Sequence, residues 1–241
     1  TRGIGLGEEI EIPATAWYIT DGQHNIMVDT GMCHTELADW HHKGSKQNPG
    51  EPVHQKLQSI GVDPDEIELV IFTHLHWDHC HNLDKFPNAR FMVSAQEYAF
   101  ALDPIPPYYK SFEHHKLGKK APFIDIQLET IEGEVEILPV LTVFPTPGHS
   151  PGHQSVSVNT NRGVHVIAGD AVFSYDNLTP ANDLLKFTIM GRFADIVATW
   201  RSLEEITRRA DVVLPGHDMR TMDVKVYPAT ADINPGGGSG R

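Results

Sequence analysis

A chain of 241 residues, 40% hydrophobic and 21% charged, has an ordinary globular composition and can bury a core without disulfides or a structural metal. Its formal net charge of −13 argues against nucleic acid and, more weakly, against anionic membrane surfaces, because such partners need Lys and Arg to meet them. No apolar run approaches the roughly 18 residues of a membrane helix, no basic-then-apolar start resembles a signal peptide, and Cys33 and Cys80 fit no CxxC pattern, so a reduced, cytoplasmic setting is expected.

In chain order, residues 15–20 and 24–29 are apolar, branched or aromatic runs around Asp21-Gly22, a hairpin signal. Residues 32–48 are polar and rich in histidine and read as a loop. Val53, Leu57 and Ile60 recur at helical spacing within 49–60, with Gly61 as the stop. The run 69–73 is short and continuously apolar, the pattern of a strand buried on both faces. Residues 90–94 read as another strand and 95–102 as a short helix ended by Pro104. Residues 103–122 gather Pro104, Pro106, Pro107, Tyr108, Tyr109 and Phe112 with several lysines, and read as an inserted loop or short helical excursion. Strand-like runs follow at 123–128, 135–144, 153–160 and 163–169. The clearest amphipathic helix is 193–210, with Ile196, Val197, Trp200, Leu203 and Ile206 on a stripe assigned to the core. Residues 211–215 form a last strand. Helices recurring between strands predict a layered α/β domain over 1–230. The Gly-rich end, 231–241, reads as a flexible tail.

Histidine is the unusual count, at 15. His74, His76, Asp78 and His79 follow the apolar run at 69–73 directly. Side chains alternate along extended backbone, so His74 and His76 can share a side, with Asp78 and His79 presented by the next turn. Imidazole and carboxylate suit zinc and similar divalent ions, and a metal offsets the desolvation that such groups suffer when buried. His149, Asp170 and His217 each stand at a strand-to-loop junction, and each adjoins a glycine: Gly148, Gly169 and Gly216. Glycine lets backbone approach a ligand or ion closely. A lone histidine after a strand is more often structural; recurrence in one kind of place is the stronger signal. Elsewhere plainer readings hold. The neighbours His41/His42 and His114/His115 do not share a face and default to the surface. Cys80 reads as a small buried filler, and His153 as a support for the His149 loop.

The order His74-x-His76-x-Asp78-His79, then His149, Asp170 and His217, resembles the metallo-β-lactamase-fold superfamily from about residue 17 to 217, and Asp29-Thr30-Gly31 resembles its early strand-end motif. The resemblance implies an αββα sandwich with a dinuclear metal site at one edge of the sheets. By that pattern His74, His76 and His149 would hold one metal, Asp78, His79 and His217 the second, and Asp170 would bridge both. Asp29 would orient a ligand from behind it. Such a pair, most simply Zn2+ with Fe, Mn or Co as alternatives, can share a water and lower its pKa toward about 7 while polarising a carbonyl. Asp78 and Asp170 then carry the catalytic roles, and no nucleophilic Ser or Cys is required.

Within the superfamily the chain is most similar to the N-acyl homoserine lactonase, or quorum-quenching, group. The carrying segments are His149-Ser-Pro-Gly-His153-Gln-Ser155, Gly216-His217-Asp218 and Val226-Tyr-Pro228. Trp77 stands where that group carries an aromatic. Phe173 replaces the group's Tyr three residues after the bridging Asp, with Tyr175 two further on, and Cys80-His81-Asn82 replaces residues that are usually small. His76, rather than Glu, favours hydrolysis over flavodi-iron redox chemistry, and Asp170, rather than Cys, weakens an antibiotic-hydrolase reading. The expected activity is therefore opening of a small lactone, with Trp77, Phe173 and Tyr175 contacting the substrate. Thioester, β-lactam, aryl ester and phosphoester hydrolysis are the alternatives, and a non-hydrolytic redox metalloprotein is a remoter one. The expected partner is a small molecule; a homodimer through 103–122 is left open.

Overall fold

In the computed structural model, which describes residues 9–180, 182–189 and 192–228, the Asp21-Gly22 turn joins strand β1 (Trp17–Thr20) to its antiparallel neighbour β2 (Asn25–Val28). The Asp21 carboxylate accepts the backbone N–H groups of Gln23 and His24 at 2.9 and 2.8 Å, and Gly22 takes φ +85°. Two helices follow, α1 (Thr35–His41) and α2 (Val53–Ser59), then β3 (Leu69–Ile71), β4 (Arg90–Ser94), α3 (Ala95–Leu102) and β5 (Leu128–Ile131). The sheet order is β1-β2-β3-β4-β5, parallel from β2 onward, and parallel pairing needs crossovers of the kind these helices supply. All of β3 is buried, as its apolar run implies. Met27, Val70, Phe72, Phe91, Phe112 and Phe123 share one core cluster. These elements form one compact unit, Ala14–Glu132.

Three expectations for this unit are corrected. The stretch 32–48 is not all loop, because α1 occupies part of it. Nor is His41 a surface residue: it sits in the last turn of α1, three positions from Ala38, and both are buried on the helix's inner face. His114 is likewise buried, stacked on Tyr109 with ring centroids 4.3 Å apart. Within 123–128 only Leu128 belongs to a strand; Phe123 is a core residue held in a turn. The excursion at 103–122 contains single 3-10 turns at Pro106–Tyr108 and His115–Leu117.

The second unit comprises the chain from Gly133 onward together with the residues before Ala14. The run 135–144 breaks into two strands, β6 (Val135–Leu138) and β7 (Leu141–Pro145), which form an antiparallel meander with β8 (Gln154–Thr160) and β9 (Gly163–Gly169). Helix α4 (Ile196–Arg209) then returns the chain, so that β10 (Val212–Pro215) pairs parallel to β9 and the order is β10-β9-β8-β7-β6. Asp195 caps α4 by accepting from Val197 and Ala198. Leu203 and Ile206 are buried and Trp200 packs against Phe187, but Ile196 and Val197 are 43% and 55% exposed. The apolar stripe therefore reaches the core only after the first turn. The tail expected at 231–241 lies outside the described residues. Among those residues, no helix is long and apolar enough to cross a membrane.

Candidate metal centre

The chain leaves β3 at Ile71, and its next residues carry the first group of candidate ligands. His74, His76 and His79 are buried and Asp78 is half-buried. The His74 ring lies 4.5 Å from that of His76 and 4.2 Å from that of His79. Asp29, at the end of β2, organises the group. Its Oδ1 accepts from the Thr73 backbone N–H at 2.7 Å, and its Oδ2 accepts from the Thr73 hydroxyl at 2.7 Å and from His79 Nδ1 at 2.8 Å. The Thr73 hydroxyl proton is thus committed to Asp29, so the same oxygen accepts from His74 Nδ1, 3.1 Å away. With Nδ1 of each ring engaged in this way, Nε2 is the atom each imidazole would offer to an ion. Asp29 itself has φ 60°, a left-handed conformation that costs of the order of 1 kcal/mol and that Asp tolerates better than most residues.

In the second unit Asp170 follows β9 and His217 follows β10. His149 Nε2 lies 3.2 Å from Asp170 Oδ2, and His217 Nε2 lies 3.0 Å from Asp170 Oδ1. The opposite ring nitrogens are held by main chain: His149 Nδ1 donates to the Arg192 carbonyl at 3.1 Å and His217 Nδ1 to the Pro13 carbonyl at 2.7 Å. Two of the adjoining glycines are required by close approach. A Cβ on Gly148, at φ +138°, would lie 2.5 Å from the Thr199 backbone nitrogen, and one on Gly216 would lie 2.8 Å from Asp170 Oδ1.

His153 is a support, as the sequence implies, with Asp170 as the residue it holds. Its Nε2 accepts from the Asp170 backbone N–H at 3.1 Å, and its Nδ1 lies 3.0 Å from the Thr146 hydroxyl. With both nitrogens engaged it positions Asp170 and is not a ligand. Thr73, unlike His153, is a support that the sequence does not mark. Cys80 packs in the core with its thiol on the Leu75 carbonyl.

The aromatic candidates divide. The Phe173 ring lies 4.5 Å from that of His217, and its carbonyl accepts the His217 N–H. Tyr175 is half-buried, with Arg220 over its ring; burial pushes its phenol above the usual range, so it stays a neutral hydroxyl. Trp77, read as a substrate contact, is 5% exposed and stacked on His41 at 4.3 Å within a cluster that includes Cys33 and Ala38. Its ring is thus committed to packing.

As a donor set, these residues fit divalent ions. They offer imidazole and carboxylate only, they are largely buried, and four histidines have Nδ1 hydrogen-bonded so that Nε2 would be the ligating atom.

The profile described as "Metallo-beta-lactamase superfamily" matches residues 11–217. The N-acyl homoserine lactonase AttM of Rhizobium radiobacter is 28% identical over 230 residues, covering 89% of this chain and 85% of its own. A solved N-acyl homoserine lactone hydrolase, with the product N-hexanoyl-L-homoserine at its catalytic metal centre, superposes with a TM-score of 0.70 at 24% identity, covering 92% of this chain and 88% of that one. AidC, a dizinc quorum-quenching lactonase, gives a TM-score of 0.62 at 17% identity, covering 84% and 71%.

Proposed function

The chain belongs to the metallo-β-lactamase superfamily, and from that premise we propose that it is a metal-dependent hydrolase opening a small lactone of the N-acyl homoserine lactone kind. His74, His76 and His149 would hold one divalent ion, Asp78, His79 and His217 the other, and Asp170 would be shared between them; zinc is the first choice of metal. The carrying observation is the arrangement at Asp170. Each of its oxygens faces the Nε2 of a different histidine, at 3.2 and 3.0 Å, and both histidines are oriented by a backbone carbonyl. A carboxylate presented in two directions suits a bridge. When bound, the ions supply an acidified water and polarise the ester carbonyl.

The protein's own groups do the rest. Asp29 and Thr73 fix the tautomers of His79 and His74, and His153 fixes the backbone of Asp170. Asp78 takes up and returns the proton. Water adds across the ring C–O bond: oxygen to the carbonyl carbon, a proton to the ring oxygen. The released hydroxyl stays tethered, so one ring-opened hydroxy acid results. Phe173 offers an apolar face beside His217, and Tyr175 a neutral phenol. Lactonases 24–28% identical along about nine-tenths of the chain support the substrate class.

A substrate panel on metal-replete protein decides. Lactone turnover should exceed thioester, β-lactam, aryl ester and phosphoester turnover, and His76→Ala should lower it by at least about 10²-fold. Turnover of another class without lactone opening, or an unimpaired His76→Ala, defeats the proposal.

A further inference from the structure

A second cluster of metal-binding side chains lies within the unit Ala14–Glu132, and it uses none of the residues proposed above. Cys33, His41 and Glu113 are 2%, 5% and 1% exposed, and one donor atom from each lies within 4.8 Å of the others. His41 Nε2 is 2.7 Å from Glu113 Oε1, and His81 Nε2 is 3.1 Å from Oε2. Thiol, imidazole and carboxylate form the donor set of a borderline-soft divalent ion, with ligand bonds of about 2.0–2.3 Å.

We propose that Cys33, His41 and Glu113 bind a third, structural divalent ion of the zinc class, with His81 holding the second carboxylate oxygen. A buried carboxylate is costly to desolvate unless positive charge meets it, and the groups hydrogen-bonded to Glu113 are two imidazoles. A divalent ion supplies that charge. On binding, the Cys33 thiol gives up its proton, the proton between His41 Nε2 and Glu113 leaves that contact, and His41 retains one on Nδ1. Thiolate, carboxylate and dication then sum to zero. Glu113 reaches the site from φ 49°, a left-handed conformation that is unfavourable for Glu. The three ligands come from the segment after β2, the last turn of α1 and the 103–122 excursion. Trp77 is framed by the same groups: it stacks on His41, packs on Cys33, and donates its backbone N–H to Ser111, two residues before Glu113. An ion here fixes the segment that carries His76 and Asp78 from outside it.

The sulfur makes the test specific, because the seven ligands proposed above offer only nitrogen and oxygen. Protein produced in cobalt-supplemented medium should bind about three equivalents rather than about two, and should show a near-ultraviolet thiolate-to-cobalt charge-transfer band. X-ray absorption on zinc-loaded wild-type protein should show a sulfur shell near about 2.3 Å, a measurement that needs no variant. Cys33→Ser and Glu113→Gln should lose the band and about one equivalent, whereas Cys80→Ala should keep both. His149→Ala should lose turnover yet keep the band, so the two proposals fail separately. Absence of the band and of the sulfur shell in wild-type protein overturns the inference at any stoichiometry. So does a band that survives Cys33→Ser or disappears with Cys80→Ala.

Discussion

The two units orient their candidate ligands by different means. In the β1–β5 unit a side chain does it: Asp29 holds His79 directly and His74 through the Thr73 hydroxyl. In the β6–β10 unit main chain does it, through the carbonyls of Arg192 and Pro13, while His153 secures Asp170. A carboxylate hub can be deleted by one substitution; a carbonyl cannot, because every residue carries one. Equal geometric demands thus give unequal mutational sensitivity.

That contrast orders the expected effects. Asp170→Asn should be the most damaging, lowering turnover by about three orders of magnitude or more and reducing metal content, because in the proposed assignment it would weaken both ions at once. Asp29→Ala comes next. It frees two imidazoles without touching an ion, so metal affinity or turnover should fall about 10–100-fold, measured by competition with a chelator and by steady-state kinetics. Arg192→Ala should stay within about threefold of wild type, since its carbonyl remains. An Arg192→Ala as impaired as Asp29→Ala would erase the distinction between the two units.

Gly148→Ala tests the main-chain unit where it is vulnerable. The new Cβ would meet Thr199 at the start of α4 and would force φ +138° on a non-glycine residue. A loss of about 2–4 kcal/mol is expected, seen as a fall in Tm of roughly 5–15 °C. Gly22→Ala, with positive φ but nothing within 4 Å, should cost only about 1 kcal/mol. If the two variants melt together, close packing at Gly148 is not what selects glycine there.

What could be read in advance follows the range of the interactions involved. The limits of α3 are legible because its signals are local: the Ser94 hydroxyl accepts from Glu97 N–H at the start, and Pro104 lies just past the end. The candidate ligands stand out because they follow strand-like runs and adjoin glycines. Helix α1 is not legible. It is seven residues long, His34 gives it no side-chain cap, and it gains stability by burying Ala38 and His41. Asp29 and His153 are legible as supports, but their partners are hidden for a related reason. Thr73 meets Asp29 across 44 positions, and Glu113 meets His41 across 72, so neither pairing leaves a mark in local pattern. Trp77 shows the converse: the resemblance implies substrate contact, and nothing in the local pattern announces the stacking of its ring on His41.

A pH-dependent effect is expected beside His217, where side-chain charge returns to the main-chain unit. Burial alone would raise the Asp218 carboxyl, but hydrogen bonds from Arg220 and from the Tyr175 N–H outweigh it and hold the group below the usual carboxylate range. Because the folded value is depressed, the stability this contributes is fully present above the ordinary carboxylate pKa of about 3.9 and is lost as pH falls through the folded value. Arg220→Ala should therefore cost about 1–2 kcal/mol near neutral pH, between the worth of an exposed and a buried pair, since Asp218 is 5% exposed and Arg220 42%. The variant should also lose less stability than wild type on acidification below pH about 4. Denaturant titrations at several pH values measure both quantities. Parallel acid limbs for the two proteins would mean that the Arg220 side chain does not set the Asp218 carboxyl, leaving the backbone N–H groups of Tyr175 and residue 220 as its principal partners.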